Sequence, residues 1–309
     1  MAHIPPRLPP GGTIGVVTPS AEINWAPTED PRRELERGLA YLRDLGFQIK
    51  MGAHALAEGP FGAGSPEERA EDINNMFADP AVDAIISTHG GVFANATLPY
   101  LDYDLMQRNP KILMGFSDVA TLHLAIYARA QVVTFHGNMV MFYFGMEPQP
   151  YDREAFLDRL VHGQIGAVAK NQPWKTVRGS SSVEGVLLGG NPMVMRWLLG
   201  TPYWPDFDDA ILFMEVPGFA HDIFYNMLVQ FRQAGLFERI NGLLLGHSRP
   251  HEGFTAADVL LEVTADYDFP VVRTDDFGHT CPNTVLPVGI RARLEAETAS
   301  LILLEACVR

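Results

Sequence analysis

The stretch that most constrains the fold is residues 111–127, where a short apolar run ends in Gly-Phe-Ser-Asp and a helical pattern follows. This pattern predicts a buried strand that ends at Gly115, a sharp turn, and a helix that begins just after Ser117. A serine at such a turn points out of the sheet, beside the free N–H groups and the positive dipole end of the helix. That position suits a nucleophile. On this segment alone a helix cap formed by Ser117 or Asp118 is the more common arrangement, because both residue types are favoured there.

The first half of the chain alternates short apolar strands with amphipathic helices. A helix is predicted over residues 31–45, with one leucine stripe and Gly46 as its stop. A second helix is predicted from Ser65, which is followed by proline and by the glutamate of a capping box. The strands between them, such as residues 84–87, are apolar on both faces, as in a parallel sheet with helices on each side. We therefore predict a doubly wound α/β domain.

The second half of the chain differs from the first in its composition and in its hydrophobic periodicity. Around residues 145–182, proline, glycine, glutamine and serine are frequent and periodicity is weak. Beyond this stretch strand-like runs outnumber helices, and the one clear helical pattern covers residues 221–234. We predict an N-terminal α/β domain over residues 1–150, a crossover over 151–182 that is a candidate hinge or lid, and a smaller β-rich C-terminal domain over 183–309.

Composition excludes several classes of protein. The 309 residues include 37 Asp and Glu against 23 Lys and Arg, a formal net charge of −14, whereas nucleic-acid binding needs a basic surface. No apolar run approaches the ~20 residues of a membrane helix, and the N-terminus lacks the pattern of a signal peptide. Two cysteines are too few for a disulfide framework. We expect a cytoplasmic protein with no nucleic-acid or membrane partner.

A nucleophilic serine needs a base, a carboxylate that orients the base, and donors for the oxyanion. Glu215 ends an apolar strand, and His279 lies in a loop bracketed by glycine and proline. A glycine pair ending at Gly91 follows another strand. Because parallel strands end at the same edge of a sheet, the N–H groups of Gly91 and Asp118 can aim at one point beside Ser117. Taken singly, each feature has a commoner explanation: a charge that meets water, a surface histidine, and an ordinary turn.

Metal and nucleotide cofactors are not expected. His247 and His251 offer two imidazoles, and further donors are present at Asp275, Asp276 and Cys281. No HExxH or paired CxxC motif exists, however, and a proline between the two histidines disrupts the helical placement that would bring both to one metal. The glycine pairs match neither the dinucleotide fingerprint nor a phosphate-binding loop.

Together these segments resemble the LD-carboxypeptidase family of serine peptidases, which also contains the microcin C immunity peptidases. The strongest block, residues 90–118, is similar to the family's Gly-Gly turn, Leu-Asp-Tyr segment, Asn-Pro-Lys and Gly-Tyr-Ser-Asp turn, in that order. Four later segments continue the resemblance, at residues 134–137, 188–191, 211–215 and 277–291. The resemblance therefore spans nearly the whole chain.

The resemblance implies a metal-independent serine peptidase. Its triad would consist of Ser117 as the nucleophile, Glu215 as the orienting carboxylate and His279 as the base. The backbone amides of Gly91 and Asp118 would form the oxyanion hole. The expected partner is a small peptide or peptidyl-nucleotide substrate, and the expected assembly is a homodimer.

This sequence departs from the family pattern at residues that bear on the identity of the substrate. Residues 89–93 differ from the Arg-Gly-Gly-Tyr-Gly of murein-trimming members and, with Asn95, look nearer to the microcin-immunity branch. The candidate substrate-binding residues are Gly90, Asn95 and Trp174, of which Trp174 either stacks on a nucleobase or plugs the domain seam.

Three activities remain open from the sequence. The leading expectation is that the protein removes the terminal D-alanine of a peptidoglycan-derived tetrapeptide. Hydrolysis of an aminoacyl-adenylate-like toxin is the second reading. A catalytically silent peptide-binding module is the alternative from a different class, and the joint presence of a serine, a glutamate and a histidine at the expected places speaks against it.

Overall fold

The computed structural model of the chain describes residues 2–218, 220–248 and 253–309. The α-helices in these residues are α1 (Pro31–Asp44), α2 (Pro66–Ala78), α3 (Tyr103–Arg108), α4 (Ala120–Ala130), α5 (Pro150–Leu157), α6 (Pro192–Met195), α7 (His221–Gln233) and α8 (Ala256–Val263). None of them is long and apolar enough to cross a lipid bilayer.

The strands fall into two sheets. Their bounds are β1 (Thr13–Val17), β2 (Gln48–Met51), β3 (Ala84–Ser87), β4 (Ile112–Gly115), β5 (Thr134–His136), β6 (Gly166–Ala167), β7 (Lys175–Arg178), β8 (Ser182–Gly190), β9 (Ala210–Val216), β10 (Ile240–Ser248), β11 (Val271–Arg273), β12 (Leu286–Val288), β13 (Arg291–Glu295) and β14 (Ser300–Leu303).

The first sheet has the strand order β12-β5-β4-β3-β1-β2. Strands β1 to β5 pair in parallel, and β12 lies antiparallel to β5 at one edge. Alternate residues of β3 enter two different apolar clusters: Ile85 packs with residues of α2 and α4, whereas Ile86 packs with residues of α1. Both faces of the sheet are therefore covered by helices, which explains why its inner strands are apolar throughout.

The chain order of the first sheet reverses beside β1, because β2 pairs on one side of β1 and β3 on the other. Ligand sites of open α/β sheets lie at such a switch point, beyond the carboxyl ends of the strands. The loops that follow β1, β3 and β4 meet there. The sheet topology thus places the predicted nucleophile turn and glycine turn at one edge.

The helix starts follow from local sequence. The hydroxyl of Ser65 accepts the Glu68 N–H while the Glu68 carboxylate accepts the Ser65 N–H, so the predicted capping box is present at α2. At α1 the Asp30 side chain accepts the N–H of Arg33. These contacts satisfy N–H groups that have no partner inside the helix.

The second sheet has the order β6-β14-β13-β8-β9-β10-β11-β7. Strands β8 to β11 are parallel, and the strands at both flanks are antiparallel to their neighbours. Every residue of β9, which ends at Val216, is buried. A doubly wound parallel sheet accompanied by a second, strand-rich sheet confirms the predicted fold class.

Several elements were not foreseen from the sequence. α5, β6 and β7 lie in the weakly periodic stretch, and β6 and β7 form the two opposite edges of the second sheet. α8 adds a helix beyond the one predicted. β12 coincides with a strand-like run of the second half of the chain, but it pairs with β5 of the first sheet and not within the second sheet. Pairing between distant segments decides these placements, and local periodicity does not report such pairing.

Candidate active site

Ser117 lies at the turn between β4 and α4, as the sequence predicts. Its φ is +59°, in the left-handed region, directly after the extended Phe116. A residue with a Cβ pays at least about 1 kcal/mol for this conformation, which is typical of strained functional turns. No side chain caps the 3₁₀ turn over Ser117–Val119 or the helix α4 that continues it. The structure therefore does not use Ser117 or Asp118 as the helix cap.

The glycine turn after β3 lies opposite the serine. A Cβ on Gly90 would be 3.1 Å from Ser117 Oγ and 3.4 Å from the amide nitrogen of Asp118. Gly91 has a φ of +147°, and a Cβ there would be 2.4 Å from Ser20 Oγ. Bare backbone at Gly90 thus keeps a space open beside the hydroxyl and the Asp118 amide, and bare backbone at Gly91 allows the close approach of the loop after β1. Neither the Gly91 amide nor the Asp118 amide donates to a backbone or side-chain acceptor in the described part of the chain.

The side chain of Asp118 has a role that sequence reasoning missed. It is fully buried and accepts hydrogen bonds from the Ser20 hydroxyl at 2.5 Å and from the Ala94 N–H at 2.8 Å. The Ser20 hydroxyl oxygen also accepts the Phe93 N–H at 3.1 Å. Burial raises the pKa of Asp118, and the bonds from Ser20 and Ala94 oppose that rise. This network joins the loops after β1, β3 and β4 and fixes the glycine turn against the turn that bears Ser117.

Glu215 and His279 meet directly. Nδ1 of His279 lies 2.8 Å from Oε2 of Glu215, and the glutamate is fully buried. The carboxylate of Glu215, at the end of β9, is therefore not exposed to solvent. The loop can approach this closely because residue 278 is glycine with φ +106°, where a Cβ would be 2.5 Å from Glu215 Cβ.

His279 also lies next to the turn that bears Ser117. Its ring packs edge-on against Phe116, with 5.0 Å between the ring centroids. An ionised carboxylate only accepts hydrogen bonds, so Glu215 holds the ring proton on Nδ1. This leaves Nε2 of His279 to take a proton from a hydroxyl group. Residues from both sheets thus converge at one place.

The two further candidates for substrate binding occupy different environments. Asn95 is exposed, in the 3₁₀ segment over Ala94–Tyr100 that follows the glycine turn. Trp174 is buried, with 6% of its surface exposed, and its indole N–H donates to the Asp276 carboxylate at 2.7 Å. These contacts are those of an aromatic residue packed between segments, and stacking of Trp174 on a nucleobase stays a prediction.

In the described ranges, no group of three or more His, Cys, Asp or Glu side chains is placed to hold a metal ion. Nδ1 of His247 lies 3.2 Å from Asp275, and Cys281 is an exposed free thiol. His251 lies outside the described residues.

Sequence comparison now decides the family. The profile of the LD-carboxypeptidase N-terminal domain matches residues 14–137, and that of the LD-carboxypeptidase C-terminal domain matches residues 184–294. The chain belongs to the LD-carboxypeptidase family. It is 28% identical to the microcin C7 self-immunity protein MccF of Escherichia coli, over 96% of this chain and 94% of that protein. It is 27% identical to the murein tetrapeptide carboxypeptidase of Pseudomonas aeruginosa, over 93% and 94%.

The fold agrees with this LD-carboxypeptidase membership. The structure of MccF without ligand superimposes with a TM-score of 0.91 at 25% identity, covering 99% of this chain and all of MccF. A complex of MccF with aspartyl sulfamoyl adenosine superimposes equally well, with a TM-score of 0.91. As a member of this family the chain is a hydrolase related to carboxypeptidases.

Proposed function

We propose that this protein is a serine carboxypeptidase in which Ser117 is the nucleophile, His279 the base and Glu215 the carboxylate that orients the base. The contact between His279 and the buried Glu215 is the observation that carries the proposal, because it fixes the imidazole beside the turn that bears Ser117. A buried carboxylate paired with a histidine next to a strained serine is the arrangement that activates a hydroxyl.

The acylation step follows from these roles. Ser117 Oγ attacks the carbonyl carbon of the scissile amide while its proton passes to Nε2 of His279. The negative oxygen of the tetrahedral intermediate lies in the space beside Gly90, where the amides of Gly91 and Asp118 donate to it. As the intermediate collapses, the C–N bond breaks and Nε2 returns the proton to the leaving amine.

The second half of the reaction repeats these steps with water as the attacking group. The acyl group is now an ester of Ser117, and His279 takes a proton from a water molecule that attacks the ester carbonyl. The same amides stabilise the second tetrahedral intermediate. Breaking of the ester bond returns the hydroxyl proton to Ser117 and releases the shortened product as a carboxylate.

The first substrate class that we propose is a peptidoglycan-derived tetrapeptide that loses its terminal D-alanine at an L,D bond. Full-length similarity to a relative named murein tetrapeptide carboxypeptidase supports this class. In that reaction the leaving group is an amino acid with a free carboxylate, a small anion that the space between the two sheets would have to admit.

A second substrate class has its own support. Structures of MccF with aspartyl sulfamoyl adenosine and with glutamyl sulfamoyl guanosine superimpose on this chain with TM-scores of 0.91 and 0.89. These ligands combine an aminoacyl group with a nucleoside. An aminoacyl-adenylate-like compound, in which the acyl group is joined to a nucleotide, is therefore the second candidate substrate.

The deciding experiment assays the purified protein on a disaccharide-free murein tetrapeptide and on an aminoacyl sulfamoyl adenosine, with release of D-alanine from the first and of sulfamoyl adenosine from the second as the readouts. We expect hydrolysis of at least one compound and covalent labelling of Ser117 by a serine-directed phosphonate. Turnover of only the nucleoside compound would replace the first substrate class by the second. Absence of both turnover and labelling would overturn the enzymatic proposal in favour of a binding module.

A further inference from the structure

We propose that the crossover stretch is the fixed support of the loop that carries the base, and that Asp276, Trp174 and Asp152 are positioning residues for His279. This inference rests on the proposed function, since it assigns these residues a role through the catalytic base. A fixed support differs from a hinge or lid. If the crossover stretch moved, its hydrogen bonds to the loop that carries His279 would have to break.

The loop over residues 276–284 is closed by its own hydrogen bonds. The Thr284 N–H donates to the Asp276 carbonyl at 2.7 Å, and the Gly278 N–H donates to Asn283 Oδ1 at 3.1 Å. From outside the loop, the Tyr143 hydroxyl donates to the Gly278 carbonyl at 3.2 Å. His279 lies within this closed loop, so any rotation of the loop as a body moves its imidazole.

The first anchor lies at the start of the loop. The Asp276 carboxylate is fully buried and accepts hydrogen bonds from the N–H groups of Asn171 at 2.9 Å and Gln172 at 3.2 Å. The Trp174 indole N–H donates to it at 2.7 Å. All three donors belong to the crossover stretch. A buried carboxylate with three N–H donors holds its surroundings firmly, because breaking any of these hydrogen bonds leaves polar groups in the interior without a partner.

The second anchor lies at the other end of the loop. The buried Asp152, in the first turn of α5, accepts the Asn283 N–H at 2.7 Å and the Asn138 side-chain amide at 3.0 Å. Its other oxygen accepts the Gln149 N–H at 2.9 Å. The crossover stretch therefore contacts the loop on both sides of His279. On one side it donates to the Asp276 carboxylate of the loop, and on the other side its own Asp152 carboxylate accepts the Asn283 N–H.

The two anchors explain how a loop histidine keeps its place. A displacement of a catalytic group by about 1 Å can lower the rate about 100-fold, so a base carried on a loop needs such fixed points. The buried position of Trp174 follows from the same arrangement, since its N–H completes the Asp276 anchor and its ring belongs to the large apolar cluster.

The test uses Trp174→Phe, which keeps an aromatic ring but removes the N–H donor, together with Asp276→Asn and Asp152→Asn at the two anchors. Trp204→Phe is the matched control, because Trp204 packs against Phe207 and Phe231 in the second-sheet half of the protein. For each variant, kcat and KM are measured on both substrate classes, along with the rate of phosphonate labelling of Ser117.

We expect kcat to fall about 10- to 100-fold in the anchor variants, by a similar factor for every substrate that the wild type hydrolyses, with KM changed less than about threefold. The labelling rate should fall by a similar factor, since it reports activation of Ser117 without substrate. Trp204→Phe should match the wild type. Thermal unfolding of each variant confirms that the assays are run on folded protein.

Two results would overturn the inference. One is a Trp174→Phe variant that keeps kcat and the labelling rate but raises KM for the nucleoside substrate alone, which would make Trp174 a substrate contact. The other is wild-type kcat in both Asp276→Asn and Asp152→Asn. A wild-type protein that neither turns over substrate nor reacts with phosphonate would instead contradict the proposed function, so the two failures are distinguishable.

Discussion

Ser117 has a left-handed backbone that alanine tolerates as well as serine, so Ser117→Ala removes the hydroxyl and leaves the turn intact. We expect the loss of at least about 10³ in kcat/KM, because the acyl-enzyme cannot form. Steady-state assays on whichever substrate the wild type hydrolyses measure this loss, and urea unfolding should show a free energy within about 1 kcal/mol of the wild type. A variant that keeps more than a few per cent of the activity would remove Ser117 as the nucleophile.

Gly90 tests the oxyanion space without altering any acidic or basic group. Gly90→Ala would put a methyl group 3.1 Å from Ser117 Oγ and 3.4 Å from the Asp118 amide. Gly90 is outside the positive-φ region, so alanine adds no backbone strain. We expect kcat to fall about 10²- to 10³-fold, the effect of losing one oxyanion donor.

The matched control for this change is Gly242→Ala, at which a Cβ would be 2.8 Å from Val183 and 3.1 Å from Leu294, in the second sheet. It crowds its surroundings at least as much as Gly90→Ala but lies away from the nucleophile turn. Its kcat should equal that of the wild type. Equal losses of kcat in the two variants would show that crowding in general, and not the oxyanion space, explains the result.

At the residue scale the sequence pointed to candidate residues at Ser117, Glu215 and His279 but not to the contacts that hold them in place. The serine at a strand-to-helix turn and the glycine pair are local patterns that can be read directly. The bond from Ser20 to Asp118 joins loops that are far apart in the chain, and no local pattern reports it. Burial of Glu215 is likewise invisible in the sequence, because a carboxylate at a strand end is usually solvated.

At the scale of elements, helix α2 is the one whose start was specified most fully by the sequence. Ser65→Ala removes the side-chain acceptor of the Glu68 N–H, and we expect it to lower the free energy of unfolding by about 1 kcal/mol. Ser65→Asp keeps an acceptor and should stay close to the wild type. Urea unfolding followed by circular dichroism measures both, and hydrolytic activity should not change.

A loss of less than about 0.3 kcal/mol in Ser65→Ala would mean that this helix end does not depend on its cap. The starts of α1 and α2 were more predictable from the sequence than the edge strands of the second sheet. These helices have local start signals, whereas β6 and β7 exist because their chain segments meet β14 and β11. Edge strands of this kind are selected by their partners, so their own residues carry little signal.

At the scale of the whole molecule, buried histidines make stability depend on pH. Burial lowers the pKa of His89 and of His123 to about 4, below the value of about 6.5 expected in the unfolded chain. Between these values the unfolded state binds more protons than the folded state. The free energy of unfolding should therefore fall as the pH falls from about 6.5 to about 4, by up to about 1.4 kcal/mol per pH unit for each histidine.

Denaturant unfolding at pH 7, 5.5 and 4.5 measures this dependence, with His123→Gln as the comparison. Glutamine does not titrate and its amide can donate to the Gly115 carbonyl, which lies 2.9 Å from Nε2 of His123. The variant should lose stability less steeply than the wild type over this range. Parallel pH curves for the two proteins would show that His123 does not contribute to acid sensitivity.

The sequence by itself determined the alternation of strands and helices, the parallel first sheet, the turn that bears Ser117 and the family, because periodicity, caps and motifs are local properties of the chain. Only the tertiary structure decided that Glu215 is buried against His279, that Asp118 joins three loops, and that residues 151–182 contact the loop bearing His279 through Asp276 and Asp152. These contacts join segments that are distant in the chain, and their energies depend on burial and on hydrogen-bond partners that exist only once the two sheets have packed.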